Sequence, residues 1–145
     1  MGEKSIGNHG RVTLVGFGPG DPDLLTIKGY KSLEHADVIF YDDLTNESFL
    51  SQFEADKGYV GKRNGRHSHD QSEINELLYQ SAALGNDVVR LKGGDPMLFS
   101  HGREEVDFLR SRGVDVDIVP GVSSGNALAS LLQIPLTHRG VARSV

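Results

Sequence analysis

The stretch Leu14-Val15-Gly16-Phe17-Gly18-Pro19-Gly20-Asp21-Pro22-Asp23-Leu24-Leu25-Thr26 runs from apolar residues into three closely spaced glycines and then into a helical pattern. Read outward, it is the end of a strand, a tight turn and the approach to a helix. Val38-Ile39-Phe40-Tyr41 and Val88-Val89-Arg90-Leu91 resemble the run Val12 to Val15 and read as strands too. Tyr59-Val60 and Val114 to Val119 are weaker strands, the second alternating Val114, Val116 and Ile118 with Asp115 and Asp117. Between them the period becomes helical. Ile74, Leu77, Leu78, Ser81 and Leu84 share one face, Asp70 and Glu73 form a capping box ahead of them, and Gly85 is a stop. Leu24 to Ala36, Phe99 to Arg112 and Val122 to Leu132 read as further helices, and Asn46 to Phe53 as a shorter one. Asp21-Pro22 and Asp95-Pro96 each offer an N-cap followed by proline at the first helical position. Alternating strands and helices select an α/β/α sandwich around a mainly parallel five-stranded sheet. Ligands of such sheets bind at the carboxyl ends of the strands.

The chain has 145 residues, enough for one domain, and its 15 Lys and Arg against 20 Asp and Glu leave a net charge of -5. That balance disfavours a general nucleic-acid binder, which needs a basic face to neutralise phosphates. Without cysteine, no disulfide, thiolate metal site or Cys nucleophile is available. No apolar run reaches the roughly 18 residues of a membrane span, and Met1 to Ile6 has no signal core, so the expected compartment is the cytoplasm. Residues 1–10 are expected to be a flexible segment, 11–134 a domain, and 135–145 a connection with the first residues of a second domain.

The opening loop first suggests a dinucleotide site, but that fingerprint is Gly-x-Gly-x-x-Gly with its third glycine inside the helix. Here the spacing is Gly-x-Gly-Pro-Gly, and Asp21 and Asp23 stand where a pyrophosphate would meet helix amides. Two readings stay open: a backbone-lined loop for a neutral or cationic ligand, or simply a capped turn. Gly93-Gly94-Asp95-Pro96 repeats the Gly-Asp-Pro of residues 20–22 after another strand, and Pro120-Gly121-Val122-Ser123-Ser124 follows a third. Shared capping chemistry explains these loops as well as a common pocket does. Asp42, at the end of the second strand, is suited to act as a general base or to bind a ligand, or equally to cap a helix. Residues 57–69 hold four Lys or Arg, two His and no acid, which suits an anionic substrate or a solvated loop. No metal site is expected, since a short histidine cluster with no thiolate is a poor ligand set.

Taken together, Val15-Gly16-Phe17-Gly18-Pro19-Gly20-Asp21-Pro22, Tyr41-Asp42-Asp43-Leu44, Val60-Gly61-Lys62-Arg63, Gln71-Ser72-Glu73-Ile74-Asn75, Arg90-Leu91-Lys92-Gly93-Gly94-Asp95-Pro96, Pro120-Gly121-Val122-Ser123-Ser124 and Ile134-Pro135-Leu136-Thr137-His138-Arg139 resemble the tetrapyrrole methylases. The similarity runs from about Val12 to Val145 and is nearest to the branch acting on uroporphyrinogen III. It implies two α/β domains with S-adenosylmethionine between them, this chain being the N-terminal one. It also implies methyl transfer to carbons 2 and 7 of uroporphyrinogen III, giving precorrin-2 on the way to siroheme and cobalamin. By the same resemblance Asp42 is the proton acceptor and Lys62 the donor. Pro19, Gly93, Gly94, Asp95, Leu98, Ser123 and Ser124 contact S-adenosylmethionine, and Arg63, Arg66 and His67 face the substrate carboxylates. No metal cofactor, nucleic acid or membrane partner is implied, and the intact enzyme is expected to be a homodimer. Asp43 departs from the usual arginine, His101-Gly102-Arg103-Glu104-Glu105 from Arg-Gly-Gly-Glu-Glu, and Ser123-Ser124 from a more usual Thr pairing. Another acceptor within the family, or a binding or dimerising module without catalysis, are the alternatives. The 145 residues alone are expected to be inactive, because a cleft ligand loses one wall without the second domain.

Overall fold

A computed structural model of the chain describes residues 9–62 and 69–145. Five strands, β1 (Arg11–Gly18), β2 (Val38–Tyr41), β3 (Asp56–Tyr59), β4 (Val88–Gly93) and β5 (Asp115–Val119), form one sheet in the order β3-β2-β4-β1-β5. Every pairing is parallel, so the expected mainly parallel sheet is parallel throughout the described strands. Val12 lies opposite both Val88 and Val116, which puts β1 between β4 and β5, with β4 the central strand of the sheet.

Among the described residues four helices connect the strands, α1 (Ile27–His35), α2 (Glu47–Leu50), α3 (Gln71–Ala83) and α4 (Gly102–Ser111), and α5 (Ser124–Leu131) follows β5. Successive side chains of a strand face opposite sides, and the core divides accordingly. Val12, Leu14, Val88 and Val116 pack with Ile74, Leu78 and Ala82 of α3 and Val106 and Leu109 of α4. Val15, Val89, Leu91 and Ile39 pack on the other face with Leu33 of α1, Leu50 of α2, Phe53 and Ala55. This is the expected α/β/α sandwich. Helix α5 contributes only Ala127 to the interior and leaves Leu128 and Leu131 exposed.

Helix starts differ from expectation by two residues at α5, which begins at Ser124 under its cap Ser123, and by three residues at α1 and α4, each for a local reason. The helix expected from Leu24 is interrupted: Asp21 caps a 3-10 turn at Pro22–Leu24 by accepting from the Asp23 amide at 2.9 Å, and α1 begins only at Ile27 under its own cap, Thr26. The helix expected from Phe99 begins at Gly102, because Phe99 has a φ of 51° and the Asp95 carboxylate caps a turn instead, accepting from the Met97 amide. The capping box of α3 is present as read, with Asp70 and Glu73 exchanging side-chain to backbone hydrogen bonds. Of residues 1–10, only His9 and Gly10 are described, and the Gly10 amide donates to the Ala82 carbonyl at 2.7 Å.

Candidate active site

The loops after β1, β4 and β5 meet at the carboxyl edge of the sheet. From adjacent strands β1 and β4 the chain leaves to opposite faces, through α1 and α4, which opens a crevice between the two loops. Across it the Gly94 amide donates to the Gly18 carbonyl at 2.8 Å, and the Gly18 amide to the Gly94 carbonyl at 3.2 Å. A third backbone closes in beneath. A Cβ on Gly16 would lie 2.6 Å from the Gly121 nitrogen, and one on Gly121 would lie 2.3 Å from the Gly94 oxygen. Side chains are excluded there by contact, so only glycine fits. Gly18 and Gly94, with φ of 87° and 63°, also occupy conformations that L-residues rarely adopt.

Asp95 locks this floor from the side, its carboxylate accepting from the Met97 amide at 2.9 Å and the Gly121 amide at 3.1 Å. Ser123 caps α5 by accepting from the Asn126 amide, and Gly94 lies beside the Ser123–Ser124 backbone. Gly93 packs on Leu44, so the loop after β2 adjoins the same floor. Pro19, Leu98 and Ser124 are exposed around it. The seven residues expected around a cofactor therefore lie on three joined loops at one edge.

Asp42 follows β2 at that edge. One oxygen accepts from the Leu44 amide at 3.2 Å, and the other meets the Arg90 guanidinium at 3.4 Å. Behind it is a buried network that the sequence reading passed over. Arg90 also pairs with Glu105 at 3.4 Å, and the Lys92 ammonium donates to Glu105 at 2.9 Å. Gln71 donates to both Glu105 and Asn75. Burial pushes the Lys92 ammonium below the ordinary lysine range, with Glu105 opposing that shift. The signal in the sequence was the pair Arg90 and Lys92 at alternate positions of a strand buried on both faces, where apolar residues are the rule. Lys62 is exposed after β3; Arg63, Arg66 and His67 lie outside the described residues. Among the described residues no group of three or more His, Asp or Glu could hold a metal ion, and no helix is long and apolar enough to cross a membrane.

A cleft of about 550 Å³ opens at the amino edge of the sheet between α1 and β1, lined by Arg11, Lys28, Lys31, Asp87 and Asp115 among others. Parallel α/β sheets use the opposite edge, and the mixture of cations and carboxylates selects no ligand charge.

The family described as Tetrapyrrole (Corrin/Porphyrin) Methylases matches residues 11–145. The chain belongs to the tetrapyrrole methylases. Among members of this family, the chain is 50% identical over 138 residues to the S-adenosyl-L-methionine-dependent uroporphyrinogen III methyltransferase, chloroplastic, of Arabidopsis thaliana, covering 94% of this chain and 37% of the relative. It is 48% identical over 137 residues to the uroporphyrinogen-III C-methyltransferase of Methanocaldococcus jannaschii, covering 93% and 57%. A crystal structure of uroporphyrin-III C-methyl transferase from Thermus thermophilus, complexed with S-adenyl homocysteine, superposes with a TM-score of 0.76 at 50% identity, covering 93% of this chain and 53% of that one. The chain thus spans about half or less of the length of these tetrapyrrole methylases.

Proposed function

We propose that the chain forms one wall of an S-adenosylmethionine-dependent C-methyltransferase that converts uroporphyrinogen III to precorrin-2 by methylation at carbons 2 and 7. The observation that carries this reading is the glycine floor, where Gly16, Gly18, Gly94 and Gly121 from three loops interlock through backbone contacts. It suits a ligand held by amides and carbonyls. In the first turn of α1 the Gly29 amide is engaged by the Thr26 hydroxyl, and Asp21 and Asp23 put carboxylates near the loop after β1, which suits a cation better than a phosphate. The names of the Arabidopsis and Methanocaldococcus relatives, and the S-adenyl homocysteine in the Thermus structure, support the same assignment.

Pro19, Gly93, Gly94, Asp95, Leu98, Ser123 and Ser124 would hold the cofactor, Asp95 by fixing the loops that carry the others. Bound there, S-adenosylmethionine supplies a methyl group on a sulfonium for in-line displacement by a pyrrole carbon. The chain's own residues position the partners and handle the proton. Asp42, oriented by Arg90 and by the amide of Leu44, takes the proton that the macrocycle loses. Lys62 returns a proton, and Arg63, Arg66 and His67 meet the substrate's carboxylates. A further domain supplying the second wall, a homodimeric enzyme and action in the cytoplasm belong to the same proposal; the exposed Leu128, Leu131, Leu132 and Ile134 support the first two.

Methyl transfer from labelled S-adenosylmethionine to uroporphyrinogen III, measured for residues 1–145 and for the chain extended past Val145, tests the reading. Dimethylated product from the extended chain is the expected result. No transfer to uroporphyrinogen III, with transfer to another precorrin, would move the chain to a different branch of the family.

A further inference from the structure

We propose that Asp43 is a positioning residue that fixes Lys62 relative to Asp42; this rests on the proton-transfer roles proposed above. Asp42 and Lys62 stand on different loops, after β2 and β3, and parallel strand pairing brings the two loops side by side, with Tyr41 opposite Tyr59. Strand pairing ends there. Beyond it the Val60 amide donates to the Tyr41 carbonyl at 2.8 Å. The next connection is made by a side chain: the Asp43 carboxylate accepts from the Tyr59 hydroxyl at 2.6 Å and from the Lys62 amide at 3.3 Å.

Asp43 therefore joins the backbone unit that carries Lys62 to the residue following Asp42. The short distance to Tyr59 is typical of a charge-assisted O–H to carboxylate bond. Gly61 shows how closely the parts fit. It is buried, and a Cβ there would lie 2.4 Å from the Tyr59 hydroxyl oxygen and 2.9 Å from an Asp43 carboxylate oxygen. Tyr59 is held in turn by an edge-on contact with Tyr41, ring centroids 5.7 Å apart, and Tyr41 donates to Glu47 of α2. The tether is thus supported from both strands.

Asp43 does not itself have to touch the substrate. A proton acceptor and a proton donor acting on one macrocycle must keep a set separation, and a misplacement of about 1 Å can cost on the order of a hundredfold in rate. A tether of this kind affects turnover more than binding.

The test uses the enzyme form that shows methyl transfer, with Asp43→Ala, Asp43→Asn and Tyr59→Phe. Expected for Asp43→Ala is a fall in kcat of about tenfold or more, with KM for uroporphyrinogen III and Kd for S-adenosylmethionine within about twofold of the parent. Asp43→Asn keeps an acceptor for Tyr59 but sets an amide against the Lys62 N–H, and Tyr59→Phe loses one bond only. Both should fall between parent and Asp43→Ala, and Tyr59→Phe in the Asp43→Ala background should add nothing. The Lys62 amide resonance should move in both Asp43 variants, whether or not turnover changes. Parent-like kcat in Asp43→Ala, or KM rising as kcat falls, overturns the proposal. A melting temperature that drops while kcat holds does the same, marking a structural role only. A parent enzyme that does not methylate uroporphyrinogen III rejects the underlying reading instead.

Discussion

Glu105 is fully buried and faces two cations, Arg90 and Lys92, one of which it shares with Asp42. Ion pairs in such places are seldom there for stability, because desolvation offsets much of the attraction. Removing one member is a different matter, since the others keep their desolvation and lose their compensation. Glu105→Ala is expected to cost about 3–5 kcal/mol, read from urea unfolding. Lys92 makes the network sensitive to alkali. Burial lowers its folded-state pKa below the unfolded one, so between the two values the unfolded chain binds more protons and stability rises with pH. The window closes at about 10.4, the ordinary lysine value. The urea midpoint of the parent should therefore climb relative to that of Lys92→Met as pH approaches that value from below; parallel curves would contradict the assignment. At the edge of the same network, Asp42→Asn should reduce turnover much more than it weakens S-adenosylmethionine binding, and equal losses in kinetics and calorimetry would argue against a proton-accepting role.

At the scale of elements, what was legible depended on whether the capping side chain acts locally. Helix α3 could be read because all its signals lie within one stretch: Asp70 and Glu73 at the start, an apolar face, and Gly85 with a φ of 85° just past the end. Helix α4 starts three residues after the expected Phe99, and Asp95-Pro96, which has the form of a helix cap, caps a turn instead, with one oxygen of Asp95 going to Gly121, 26 residues away. Nothing in the sequence near Asp95 reveals that partner. The capping box also gives α3 a pH response, of the same sense as that of Lys92 but in the acid range. Asp70 is held below the ordinary carboxylate range, chiefly by the Glu73 amide and then by the Ser72 hydroxyl. Its contribution is complete above the unfolded value, about 3.9, and fades as pH falls through the lower folded value. Asp70→Asn keeps a cap without the charge. Thermal unfolding of the parent should lose ground to Asp70→Asn on acidification, and identical melting curves at every pH would count against the cap.

Across the whole molecule, the alternation of strands and helices was enough to give the class, but not which strands are neighbours. That β4 lies between β1 and β2 follows from long-range pairing, Val88 opposite Val12 and Val38, which a local apolar pattern does not encode. The repeated Gly-Asp-Pro could be seen in the sequence; that Gly94 of the second copy hydrogen-bonds with Gly18, just ahead of the first, could not. The same global view predicts where substitutions are felt. Leu78 is fully buried between α3 and the sheet, so Leu78→Ala should cost about 2–5 kcal/mol in urea unfolding, by lost transfer energy and the cavity left. Leu131 on α5 is 76% exposed, and Leu131→Ala should stay within about 0.5 kcal/mol in residues 1–145. Equal effects would mean that α5 is packed in solution in a way its exposure does not show.

The reciprocal bonds between Gly18 and Gly94 make two loops, distant in sequence, into one closed ring of main chain, with Gly121 pressed against it. Anyone wishing to retarget this surface to another ligand has few side chains on it to exchange. Redesign would have to change loop lengths, and a residue inserted into either loop would break the ring and displace the other as well.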